Sequence, residues 1–207
     1  MLVLLFLALA TMPAKPAAAA AGRPHNAMRL VAETDTPAPG AEVTLAIRAT
    51  PEAGWHGYWQ NPGSAGVATR ADWTLPVGAA AGALRYPVPE RLRVSGIMNH
   101  VYERPWTLFA QLRLPAGIAP GTPLPIRVAL DYLVCTREIC VPERQTLAVQ
   151  LVAGDGRIHP ARRAAFDGWR QALPRPLATP ARFAVEDGRL RLAIPYPAGA
   201  ALDDPWF

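Results

Sequence analysis

The sequence is poor in the features that mark several large classes of protein. Among 207 residues there are two cysteines, Cys135 and Cys140, and four histidines, at positions 25, 56, 100 and 159. Two cysteines are too few for the disulfide framework of a miniprotein. Lys15 is the single lysine, so the formal net charge of +5 rests almost wholly on arginine. No basic cluster is longer than Arg162-Arg163, and arginines are interspersed with acidic residues. A nucleic-acid binder shows a basic stripe or a recognisable module. Neither is present, so the charge reads as a solvated surface and no nucleic-acid partner is expected. Long apolar runs are missing too: the longest, residues 2–10, falls well short of the ~20 residues that span a bilayer. Prolines recur every ten residues or so, which excludes a coiled coil or a long-helix protein.

What is present fits an exported β protein. Aromatics make up 8% of the chain, with six tryptophans, enough large side chains for a core. The 23 prolines and 16 glycines exceed the usual share but stay below low-complexity levels. The run LVLLFLALA at 2–10, followed by an alanine tract, matches the apolar region of a secretory signal with Ala-x-Ala cleavage choices between Ala17 and Ala21, although no Lys or Arg precedes it. Residues 1–21 are therefore expected to be a signal peptide. Export would place the rest in an oxidising space, where a cysteine pair can be a disulfide.

From Arg29 to Leu151 apolar residues alternate with period two, clearest in 43–48, 106–114, 126–134 and 146–152. Between these runs lie Pro/Gly turns such as 37–40, 61–63, 115–117 and 120–121. The pattern predicts an all-β protein, an antiparallel β-sandwich over 22–155. The texture changes after Gly154-Asp155-Gly156. Pro160 to Leu173 carries Ala165, Phe166, Trp169 and Leu173 at helical spacing, with Pro160 suited to the first helical position. Pro174, Pro176 and Pro180 then stop it, so 156–180 is expected to be a helix and a Pro-rich linker. Residues 182–194 read as a hairpin turning at Asp187-Gly188. One hairpin is not stable alone, so 181–207 is expected to be the start of a second β domain.

The sharpest chemistry lies at the cysteines. A disulfide needs Cα atoms within about 7 Å, whereas five steps of extended strand span roughly 16 Å at ~3.3 Å each. The chain must therefore fold back between Cys135 and Cys140, at the end of the apolar run 126–134. Thr136-Arg137-Glu138-Ile139 contains no Gly, Pro or Asn, so an ordinary two-residue hairpin turn is not expected. Three readings stay open on the residues alone. A short local bridge near a surface is the kind that exchanges; it could equally be a static staple contributing about 2 kcal/mol. A soft-metal site of Cys135, Cys140, His100 and Met98 would suit Cu(I). Arg137 would favour a thiolate, whereas Glu138 and Glu143 would oppose it.

Three stretches carry a resemblance. They are Gly54-Trp-His-Gly-Tyr-Trp-Gln-Asn-Pro-Gly63; Tyr86-Pro-x-Pro-Glu90 leading to Asn99-His-Val-Tyr-Glu103; and Leu130-Asp-Tyr-Leu-Val-Cys135 with Ile139-Cys-Val-Pro-Glu143. Together they make the region 30–152 resemble the N-terminal periplasmic domain of the DsbD and ScsB family of thiol–disulfide interchange reductases. The resemblance implies an immunoglobulin-like sandwich with a redox-active pair and no cofactor beyond the cysteines. The pair would receive electrons from a membrane-embedded domain and reduce periplasmic thioredoxin-fold partners. By position, Cys140 matches the cysteine that forms the mixed disulfide and Cys135 its resolving mate. A cap loop that covers the pair would match Asn99, His100, Val101, Tyr102 and Glu103. Val101, with Tyr102 beside it, stands where DsbD proper has an aromatic residue, and the cysteine spacing is one residue shorter. The tail from 181 resembles the next immunoglobulin-like segment of ScsB-like proteins. On their residue types Trp55, Tyr58, Trp59 and Tyr132 are assigned to packing, and Asn61-Pro62-Gly63 to a turn. His100 and Tyr102 fit either loop packing or active-site cover.

Overall fold

A computed structural model describes residues 23–196 together with 199 and 201; the expected signal peptide lies outside the described residues. In chain order the first strands are β1 (Asn26–Ala32), β2 (Glu42–Pro51), β3 (Gly57–Gly63), β4 (Arg70–Thr74), β5 (Ala80–Ala81), β6 (Glu90–Val94) and β7 (Ile97–Tyr102). Then come β8 (Trp106–Arg113), β9 (Pro123–Cys135), β10 (Cys140–Val152), helix α1 (Pro160–Arg170), β11 (Arg182–Glu186) and β12 (Arg189–Ala193). Every strand pairing is antiparallel. The sheets run β1-β2-β8-β5, β10-β9-β4, β3-β7-β6 and β11-β12.

The first two sheets form the antiparallel sandwich that the alternation predicts, immunoglobulin-like as the resemblance implies. Val43, Leu45 and Ile47 of β2, with Leu108 and Leu112 of β8, meet Leu124, Ile126, Val128, Leu130 and Tyr132 of β9 in one buried cluster. Each residue of this kind, fully buried, contributes about 1.5–3 kcal/mol. Strands β2, β9 and β10 are longer than their apolar runs, and prolines lie inside three strands, Pro62 in β3, Pro125 in β9 and Pro142 in β10. Pro142 sits within β10, opposite Leu133. Proline is tolerated there because β10 is the edge of its sheet, and one side of its backbone needs no partner.

The outer face of the first sheet is buried as well. Ala46 of β2 and Phe109 of β8 point away from the sandwich and pack under Phe166 of α1, which is fully buried. Pro160 takes the first helical position behind an N-cap at His159, whose ring accepts from the Ala161 N–H at 3.3 Å. Arg170, in the last turn, pairs with Glu33 and with Asp167, and Arg162 pairs with Asp35 at 3.1 Å. The β11–β12 hairpin turns at Asp187 and Gly188, with φ of 51° and 70°, the twist-matched geometry that an Asp-Gly pair favours.

The third sheet positions the site. β6 and β7 form a hairpin turning at Ser95-Gly96, both with positive φ, and β7 pairs with β3. β3 in turn joins the sandwich through a bridge from His56 to Cys135. This small sheet lies over the end of the β9–β10 hairpin.

Candidate active site

Cys135 ends β9, Cys140 begins β10, and the two are joined by a disulfide. The close approach follows from the backbone. Cys135 N–H donates to His56 O at 3.0 Å, and Cys135 O accepts from His56 N–H at 2.9 Å. In an antiparallel ladder a residue's two backbone groups point to the same side, so Cys135 has none directed at Cys140. The cysteines are therefore a non-hydrogen-bonded pair, the kind in which side chains lie nearest, and their Cα atoms are 4.1 Å apart.

The connection uses a side chain where a glycine turn would use positive φ. Thr136 Oγ1 accepts from the N–H groups of Glu138 and Ile139, both at 3.1 Å, and Thr136 N–H donates to Ile139 O at 2.8 Å. Neither Arg137 nor Glu138 takes a positive φ. A threonine hydroxyl standing in for a backbone acceptor explains how a segment without Gly, Pro or Asn turns so tightly.

The two sulfurs meet different surroundings. Cys135 is 1% exposed and packs with Tyr58, Leu92 and Val101, flanked by Val94 and Leu133. Cys140 is exposed, as are Arg137, Glu138 and Ile139 beside it. The Tyr58 hydroxyl donates to Cys135 Sγ at 3.1 Å, and His56 Nε2 lies 3.4 Å from the same hydroxyl. Burial pushes the Tyr58 hydroxyl pKa up. It pulls the His56 pKa down, with Glu103 acting to raise it and Arg137 to lower it further. The Tyr58 ring rests against Gly66, at φ +98°, where an added Cβ would lie 2.2 Å from Cε1 of the ring.

Of the stretch 99–103, residues 99–102 belong to strand β7 and Glu103 follows it. Val101 joins the Cys135 cluster. Tyr102 is buried elsewhere, stacked on Trp106 at 4.9 Å with its hydroxyl donating to Pro87 O at 2.7 Å. Asn99 is buried with its amide nitrogen directed to Ile97 O. His100 sits edge-on to Trp59 and places Nδ1 3.0 Å from Asn61 O. Among the described residues no group of three or more His, Cys, Asp and Glu is arranged to hold a metal ion.

Residues 61–63, assigned to a turn, instead continue strand β3, and two single residues also differ from their sequence assignment. Tyr58 packs as expected but also touches a sulfur, which its residue type could not reveal. Its place in the Trp-His-Gly-Tyr-Trp stretch was the available signal. Glu143 lies an odd number of positions from Cys140, so it faces the other side of the strand. There its carboxylate takes the His25 ring at 2.7 Å and the Tyr132 hydroxyl at 2.7 Å, away from the sulfurs.

The fold and this pair define a disulfide-bearing immunoglobulin-like sandwich. The family described as "Thiol:disulfide interchange protein DsbD, N-terminal" matches residues 27–151, more than half of the chain, and the protein belongs to that family as a thiol–disulfide interchange domain. The fold is similar to that of the N-terminal periplasmic domain of ScsB from Proteus mirabilis, with a TM-score of 0.60 and 18% identity. That likeness covers 82% of this chain and 64% of the ScsB structure. The N-terminal domain of Neisseria meningitidis DsbD in the reduced form is similar at 15% identity and a TM-score of 0.30, over 64% of this chain and 87% of that one. No curated protein matches the sequence.

Proposed function

We propose that the domain passes reducing equivalents through Cys135 and Cys140 to thioredoxin-fold proteins in the periplasm. The observation that carries this reading is the asymmetry of the pair, with one sulfur exposed at the tip of a hairpin and its mate 1% exposed beneath a small sheet. In the reduced domain the Cys140 thiolate attacks a partner disulfide, forming a mixed disulfide and releasing one partner thiolate. Cys135 then attacks Cys140 Sγ, and the second partner sulfur leaves with the bonding electron pair. The partner is reduced and the pair is oxidised. Reversal of these steps lets a membrane-embedded donor domain recharge the pair.

The apolar run at 2–10 and the alanine tract support export, and no helix among the described residues is long and apolar enough to cross a membrane. The hairpin β11–β12 supports a second β domain beginning near 181. Phe183 pairs with Leu192 and Val185 with Leu190, so one of its faces presents four apolar side chains, all exposed.

The deciding measurement is the reduction potential of the pair against a dithiol buffer series. A value between about −180 and −270 mV is the range of working oxidoreductases, whereas structural bridges fall below about −300 mV. The expected value lies in the first range, and Cys135→Ala is expected to trap partners through Cys140. A value in the second range overturns the proposal.

A further inference from the structure

The exchange reading leaves one step without a means. Cys135 must lose a proton before it can resolve the mixed disulfide, yet at 1% exposure it is closed to water. Burial in apolar surroundings disfavours the thiolate. Its neighbours Leu92, Val94, Val101 and Leu133 offer no side-chain proton acceptor. Tyr58 does, and behind Tyr58 stands His56, itself 3% exposed.

We infer that Tyr58 and His56 form a proton relay for the buried sulfur, with Tyr58 exchanging the proton at Cys135 Sγ and His56 holding it. The inference rests on the exchange reading of the pair. In resolution the Cys135 S–H proton passes to Tyr58 Oη while the Tyr58 hydroxyl proton passes to His56 Nε2, leaving a thiolate, a neutral tyrosine and an imidazolium. The thiolate lone pair forms the bond to Cys140 Sγ. The bond from Cys140 to the partner breaks and its electron pair leaves on the partner sulfur, with the proton held on His56. Run backwards, the same chain protonates Cys135 as it leaves when a donor thiolate attacks Cys140.

Two structural facts suit the residues to these tasks. His56 is fastened to Cys135 by two backbone hydrogen bonds, so ring and sulfur belong to one rigid ladder. Tyr58 is pressed against Gly66, at a spacing no other residue there would allow. The ionisable and charged groups acting on His56 are Glu103 and Arg137, of opposite sign, together with the Tyr58 hydroxyl. Burial favours the neutral imidazole, the state in which it can accept a proton.

The test uses the full chain, reduced, desalted and mixed with a limiting amount of 5,5′-dithiobis(2-nitrobenzoate). One thionitrobenzoate is released as Cys140 attacks, and a second as Cys135 resolves the adduct. Tyr58→Phe is expected to slow the second release about tenfold or more, the scale of a lost proton-transfer group, while leaving the first within about twofold. His56→Gln keeps a polar side chain and is expected to abolish the histidine inflection in the pH profile of the second release. In the Cys140→Ala background, Tyr58→Phe is expected to raise the thiolate titration midpoint of Cys135, followed by absorbance at 240 nm, by about one unit. An unchanged second release in Tyr58→Phe, or an inflection that survives in His56→Gln, overturns the relay. Absence of any second release from the wild-type protein overturns the exchange reading instead, so the two failures are distinguishable.

Discussion

Cys135 spends both backbone hydrogen-bonding groups on His56 and faces Cys140 with none, at a Cα separation of 4.1 Å. The bridge from β3 therefore does two things at once. It closes the small sheet over the end of β9, and it forces the cysteine pair into the close, non-hydrogen-bonded register. Burial of one sulfur and proximity of the two have the same structural origin. Cys140 stays exposed at the very start of β10, the edge strand of its sheet.

The asymmetry predicts unequal thiols. In the reduced protein Cys140 is expected to react with iodoacetamide at least about tenfold faster than Cys135, since reactivity follows access and thiolate fraction. Timed alkylation followed by peptide mass spectrometry reads both rates. Equal rates would mean that the cover over Cys135 opens freely.

The bridge closes a loop of few residues, and short loops constrain the unfolded chain little. By chain entropy its reduction is expected to cost about 2 kcal/mol. The sandwich core, Leu45, Ile47, Leu108, Ile126 and Leu130 among it, does not depend on the bridge. The reduced protein is therefore expected to stay folded and to melt only about 4–8 °C lower. Thermal unfolding with and without dithiothreitol measures the difference. Unfolding at room temperature on reduction would mark the bond as a staple.

Much of this was legible in the sequence, and for a physical reason. Strands such as β2, β8 and β9 bury one face in a common core, and a period-two pattern is what such burial requires. The Asp187-Gly188 turn was equally plain, because an aspartate followed by glycine is the standard means of taking two positive φ values. Ser95-Gly96 makes a like turn, yet serine is a weaker mark of it. The small sheet β3-β7-β6 was legible only as a resemblance around 54–63 and 99–103. Strand β3 is irregular, with a register shift between Tyr58 and Gly63, so no clean alternation marks it. Contact between Tyr58 and Cys135 joins residues 77 positions apart, and no local pattern encodes it. The helix α1 was predicted by spacing, but its seat on Ala46 and Phe109 depends on which face of β2 and β8 is left uncovered.

Gly66 tests how firmly the Tyr58 ring is held. Its φ of +98° is strained for any other residue, and a Cβ would fall 2.2 Å from the ring. Gly66→Ala combines backbone strain with overpacking and is expected to destabilise the protein by about 2–4 kcal/mol. Because the displaced ring is the cover of Cys135, the same substitution is expected to bring the alkylation rate of Cys135 closer to that of Cys140. Urea unfolding and alkylation read the two effects separately. A stable variant that keeps the wild-type rate ratio would show that the ring has room to move without uncovering the sulfur.

His56 sets an expected pH dependence of stability. Its folded pKa lies below the ordinary value of 6.5, chiefly because burial disfavours the imidazolium. Below pH 6.5 the unfolded chain therefore binds a proton that the folded protein resists, and stability rises with pH wherever the unfolded state binds more protons. The contribution is fully present above pH 6.5 and is lost as pH falls through the folded pKa. The melting temperature of the oxidised protein is expected to decline from pH 7 to pH 5, and His56→Gln, which cannot titrate, is expected to flatten that decline while leaving the acid limb from carboxylates in place. Oxidised protein is the right sample because the disulfide removes both cysteines from the titration. A decline of equal slope in His56→Gln would assign it to other groups.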